Sequence, residues 1–180
     1  MKQTKIKRYR LSVSRTFPVT HPRKGEDTFF IEKIKRKQCW MFVNECCTNE
    51  CNISGEGIKI HTIRGNYPRW EKIMAEVQAG RAVIELFYWE GKPYRSQQIV
   101  FETLNKDSGC GVQMLDLSVF NKIGLAMIQF KTDDSCGSKQ ISTRSLIKND
   151  GLNLHDFYHW FKKADLNETM TIIHFTKFRY

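Results

Sequence analysis

Gly57-Ile58-Lys59-Ile60-His61-Thr62-Ile63-Arg64 sets a lysine, a histidine, a threonine and an arginine among three isoleucines. As far as Thr62 the alternation predicts a strand, with Ile58 and Ile60 on one side and Lys59 and His61 on the other. A one-residue bulge near Thr62 would bring that hydroxyl round toward Lys59, since bulges re-aim side chains beside functional sites. A lysine and a hydroxyl at the mouth of a sheet can bind an anion or a base, or carry out nucleophilic chemistry.

Working outward, Ser54, Gly55 and Gly57 mark a loop ahead of the strand. Before it lies a Cys-rich insertion at about 37–56, then a short helix from Thr28 to Ile34 that turns Phe30, Ile31 and Ile34 inward. The N-terminal stretch, residues 1–27, is basic; it predicts a strand over Lys5 to Thr16 and a turn-rich segment from Thr20 to Asp27. Downstream, a helix is expected from Trp70 to Gln78, closed by Gly80. A hairpin follows, with strands at Ala82–Trp89 and Gln98–Leu104. Weaker strands are expected at Val112–Leu117, Ala126–Phe130 and Gln140–Ser142. The strongest helix runs from Leu154 to Lys163, with Asn153 as N-cap and Leu154, Phe157, Tyr158 and Phe161 on one face. Thr169 to Phe175 is a last apolar strand. Short strands, short helices and many turns describe an α+β domain around a β-barrel, a single unit over residues 1–180.

Composition narrows the function. The chain has 180 residues and a formal net charge of +10. Lys2, Lys5, Lys7, Arg8, Arg10, Arg15, Arg23 and Lys24 all precede the first acid, Glu26. Such a surface attracts polyanions, and nucleic acid is the commonest of these. No apolar run approaches the roughly 18 residues of a membrane span, and no secretory signal is evident, so no membrane partner and a cytoplasmic location are expected. The six cysteines, Cys39, Cys46, Cys47, Cys51, Cys110 and Cys136, lack the CxxC pairs of a zinc site. Neither a metal nor a cofactor is expected. His155 and His159 have helical ligand spacing but no third ligand at a fitting offset, and His174 reads as a satisfied core histidine.

A short helix, a glycine and then Lys59, Thr62 and Arg64 as Lys-x-x-Thr-x-Arg resemble the signature of the ASCH superfamily. Lys148-Asn149-Asp150-Gly151 before the downstream helix resembles that family's acidic or Asp-Gly segment. Thr171 to Phe175 looks like its terminal strand. The resemblance runs in order from Phe29 to Phe175 and implies a PUA-like β-barrel with flanking short helices. One branch of the superfamily hydrolyses the acetyl amide of N-acetylcytidine with a lysine, a threonine and a glutamate. By that resemblance Lys59, Thr62 and Asp150 are the catalytic candidates. Aspartate stands where the family has glutamate, and its carboxylate reaches about 1.5 Å less far.

The leading expectation is a protein that binds RNA, or a modified nucleoside, in a cleft of Lys59, Thr62, Arg64 and Asp150. An amidohydrolase acting on an acylated cytidine is the alternative, and a non-catalytic accessory protein is a third. Tyr67 and Trp70 are candidates to wall the pocket. Trp89, Tyr94 and Arg95 on the hairpin are candidates for base stacking, since aromatic and basic residues interleave there.

Overall fold

The computed structural model describes residues 6–36, 57–118, 120, 126–131 and 136–180. The basic residues 1–5 and the Cys-rich insertion therefore lie outside the described residues. The architecture is α+β, with two sheets and short helices. Neither sheet closes into a barrel among the described residues.

The smaller sheet has three strands. β1 (Lys7–Ser12) lies parallel to β3 (Ala82–Trp89), which pairs antiparallel with β4 (Gln98–Leu104). On its inner face Leu11, Ile84 and Leu86 are buried against the helices. On the other face Glu85 is buried, and it is neutralised by Arg8 at 2.6 Å and Arg10 at 3.2 Å. Lys7 and Tyr9 both hold Glu76, at 2.9 and 2.7 Å. Much of the basic N-terminal charge is thus engaged in specific pairs.

α1 (Phe30–Lys35) and α2 (Tyr67–Gln78) cover this sheet. α2 starts three residues earlier than the expected Trp70, for physical reasons: Asn66 accepts the Arg69 amide at 3.2 Å, and Pro68 needs no hydrogen bond in a first turn. Trp70, Ile73, Met74 and Val77 repeat at helical spacing and are buried.

The larger sheet has the order β2 (His61–Arg64), β8 (Met170–His174), β5 (Gly111–Asp116), β6 (Ala126–Lys131) and β7 (Cys136–Ile141), antiparallel throughout. Every residue of β8 is buried. Ile173 faces the core under the smaller sheet, and Met170 and Ile172 face a second core. One apolar strand therefore divides two hydrophobic clusters, which explains its lack of alternation.

The second core is closed by α3 (Thr143–Asn149) and α4 (Leu154–Phe161). α3 is not anticipated by the sequence reading: it has seven residues, and only Leu146 and Ile147 are buried. α4 keeps Asn153 as N-cap, accepting the Asp156 amide at 2.7 Å. Its expected apolar face is split, however. Phe157 and Phe161 are buried, whereas Leu154 is 63% and Tyr158 45% exposed, because α3 packs against only part of that face.

Candidate functional site

The strand expected from Ile58 begins only at His61. From there β2 follows β8 in unbroken register to Arg64, so no bulge lies within it. Ile60 keeps one bond of the pairing, accepting the Phe175 amide at 2.8 Å, while the chain before it docks onto the C-terminal end of α3. Ile60 donates its amide to the Asn149 carbonyl at 2.9 Å. Lys59 Nζ donates to the Asp150 carbonyl at 2.6 Å, and Lys33 Nζ to the Gly151 carbonyl at 2.8 Å. These bonds satisfy carbonyls that a helix terminus leaves without partners, and they place cations at its negative end.

The same docking joins the two distant parts of the site. Lys59 Nζ lies 2.6 Å from Asp150 Oδ1, with both residues buried. The shorter aspartate reaches the lysine directly, so the missing methylene does not prevent the pair. Gly151 makes the approach feasible. It has φ +75°, and a Cβ there would come within 3.1 Å of Lys59 Cβ and 3.3 Å of Lys33 Cδ.

Lys59, Thr62, Arg64 and Asp150 line one small cavity with Phe30 and Trp160. Its volume is about 10 Å³, room for roughly one water. Two ammonium donors of Lys59 go to Asp150, leaving one for a ligand. The ammonium also lies 4.2 Å from the centre of the Phe30 ring. Burial lowers the Lys59 pKa to about 8, against the opposing pull of Asp150. Burial likewise raises Asp150, with Lys59 opposing. The Thr62 hydroxyl makes no hydrogen bond among the described residues, although the residue is 5% exposed. Arg64 does not pair with Asp150: its guanidinium donates to the carbonyls of Ile63 at 3.1 Å and Ser12 at 2.8 Å.

The remaining candidates lie elsewhere. Trp70 is in the core of α2, and Tyr67 bonds Glu71 at 3.1 Å; neither lines this cavity. Trp89, Tyr94 and Arg95 sit at the far end of the β3–β4 hairpin. His61 was expected to face the same way as Lys59, but it does not line the cavity. Its ring packs 5.7 Å from His174 and 5.8 Å from Tyr180. Both ring nitrogens of His61 and of His174 are buried without a hydrogen-bond partner, so His174 is not the satisfied core residue expected. Burial holds His61 well below its ordinary pKa, helped by His174 and Lys59, and lowers His174 to about 3.

Phe30 and Trp160 are site residues that the sequence reading did not single out. Both belong to apolar helix faces and look like core until α1 and α4 are seen to meet at the cavity. Beyond Lys33 and Gly151 lies a larger cavity of about 390 Å³, lined also by Phe17, Arg23, Asn153 and Asp156. Among the described residues no cluster of three or more His, Cys, Asp or Glu is placed to hold a metal ion. The Cys39–Cys51 cluster lies outside those residues. No helix among them is long and apolar enough to cross a membrane.

In comparisons of the chain with protein-family models, with curated proteins and with solved structures, nothing matches.

Proposed function

We propose that the protein recognises a modified nucleoside by admitting a small acyl-type substituent into the Lys59–Thr62–Arg64–Asp150 cavity. The observation that carries this reading is the fit between volume and donor set. A cavity for about one water cannot take a nucleobase, but it can take a carbonyl group. The spare Lys59 donor and the unengaged Thr62 hydroxyl are suited to that oxygen, while the ring lies at the mouth. The finer fold assignment, an ASCH domain of PUA-like type, belongs to the same proposal. It is supported by the order of the Lys-x-x-Thr-x-Arg segment, Asp-Gly, helix and terminal strand, and by the pairing of β2 with β8. A cytoplasmic location goes with it.

Calorimetric titration of the full chain with cytidine and with N4-acetylcytidine tests the reading. The acetylated nucleoside should bind at least about tenfold tighter, about 1.4 kcal/mol. Thr62→Ala should remove most of the difference. Equal affinities for the two nucleosides would sink the proposal.

Hydrolysis is the second reading, favoured by the lowered pKa of Lys59. Its neutral amine would take the proton from Thr62 Oγ1 as that oxygen forms a bond to the acetyl carbon. Asp150, raised by burial, would pass a proton to the departing exocyclic amine, and water would then hydrolyse the threonyl ester. This predicts release of acetate and cytidine, abolished by Lys59→Ala and by Thr62→Ala separately. Intact substrate after prolonged incubation would leave the binding reading alone.

A further inference from the structure

The hairpin joining β3 to β4 ends in a loop, residues 90–97, fastened by one side chain. The Ser96 hydroxyl accepts the Gly91 amide at 2.9 Å and donates to the Lys92 carbonyl at 2.9 Å. Arg95 N donates to the Lys92 carbonyl at 3.1 Å, and Glu90 N to the Gln97 carbonyl at 2.9 Å. Within this frame Tyr94 has φ +62°, a left-handed conformation that bulky side chains avoid. The residue is 89% exposed, and its ring lies 5.3 Å from the Trp89 ring. Core packing does not account for a large aromatic held outward at a backbone cost. Such strain clusters at ligand-binding positions.

The tyrosine ends a row of rings. Trp89 meets Phe87 edge-on at 5.7 Å, and the Arg10 guanidinium lies 6.0 Å from the Phe87 ring and bonds Gln98. Strand pairing sets Trp89 opposite Gln98 and Phe87 opposite Val100, so these side chains share the outward face of the smaller sheet. Lys92 and Arg95 are exposed beside Tyr94 and form no ion pair among the described residues; Glu90 is the one acid in the loop. Rings that expose a face, with unpaired cations next to them, complement unstacked bases on a phosphate backbone.

The row also runs toward the cavity. Val13 N donates to the Phe87 carbonyl at 2.7 Å, and Arg64 holds the Ser12 carbonyl. Val13 and Ser14 line the cavity itself. Because β1 and β3 are parallel, the segment that walls the site continues beside Phe87 toward Trp89.

We propose that Trp89 and Tyr94 form a stacking platform for single-stranded RNA, with Lys92 and Arg95 on its phosphates. Resting on the cavity reading, this makes the ligand a nucleoside within an RNA strand rather than a free one. Stacking tolerates any base, so the platform adds affinity with little sequence preference.

The platform is tested with unmodified RNA, independently of the cavity. The full chain is titrated by fluorescence anisotropy with a labelled pyrimidine strand of about eight nucleotides and with its duplex. Tyr94→Ala should weaken single-strand binding about tenfold, while Tyr94→Phe keeps it. The duplex, whose bases are already stacked, should bind more weakly than the strand. Neutralising Lys92 and Arg95 together should reduce the slope of log affinity on log salt by about 1.4. Unchanged affinity in Tyr94→Ala, equal binding of duplex and strand, or no binding of the strand would overturn the platform. The affinity ratio for strands with and without one acetylated cytidine reports on the cavity separately. A ratio of one would remove the cavity reading and leave the platform in place.

Discussion

Lys59 and His61 are two residues apart and almost equally buried, yet they present opposite solutions to the burial of a polar group. On the Lys59 side the cost of burial is partly offset: the ammonium has two hydrogen bonds to Asp150 and an aromatic face. On the His61 side the ring nitrogens of two histidines and the Thr171 hydroxyl have no hydrogen-bond partner, and His61 Nε2 comes no nearer than 3.9 Å to Asp150 Oδ1. A buried ion pair is costly to break, whereas an unsatisfied buried group already carries its penalty. The first side is therefore expected to hold the structure together and the second to weaken it.

The largest difference should come from removing one partner on each side. Asp150→Ala leaves Lys59 buried and unpaired, and should lower unfolding free energy by about 3–5 kcal/mol in urea titrations. His61→Phe replaces an unsatisfied ring by an apolar one of similar shape and should change it by less than about 1 kcal/mol. Similar losses in both variants would dissolve the distinction.

Acid should act chiefly through the histidine side. His61 and His174 have folded pKa values below 6.5, so below that pH the unfolded chain binds more protons than the folded one. The histidines' contribution is full above pH 6.5 and falls as pH drops, for His174 by about 1.4 kcal/mol per pH unit toward its value of about 3. Asp150, raised by burial, works the other way, since above its ordinary value the folded chain holds the extra proton. Thermal melts from pH 7 to pH 4 should therefore become shallower in pH dependence in His174→Phe. An unchanged slope would show that the histidine is not the source.

Smaller effects test the supports. Gly151→Ala, with φ +75° and a Cβ 3.1 Å from Lys59, should cost about 1–2 kcal/mol and disturb the Lys59–Asp150 pair. Asn153→Ala removes the cap of α4 and should cost about 1 kcal/mol by chemical denaturation. A loss in the Asn153 variant exceeding that in the Gly151 variant would place the constraint in α4 rather than at the pair.

Much of this was legible in the chain itself. Lys59, Thr62, Arg64 and Asp150 were marked by residue type and order, and α2 by its apolar run from Trp70 and its closing Gly80, although its first turn at Tyr67 was not. The hairpin was marked by two β-rich runs around Gly91 and Pro93. What escaped depended on contacts far apart in sequence. His61 and His174 meet only because β2 pairs with β8, and the parallel pairing of β1 with β3 has no local signature. α3 escaped because a seven-residue helix with two buried residues offers too little periodicity. Face assignment failed at Lys59 because a strand's alternation holds only inside the ladder, and Lys59 precedes it.

The buried Lys59–Asp150 pair is tested most directly by the pH at which Lys59 loses its proton. Heteronuclear NMR of the Lys59 side chain, followed from pH 6 to pH 11 in the full chain, measures this directly. A midpoint near 8 is expected, with burial the dominant cause. A midpoint at the ordinary lysine value of 10.5 would contradict it.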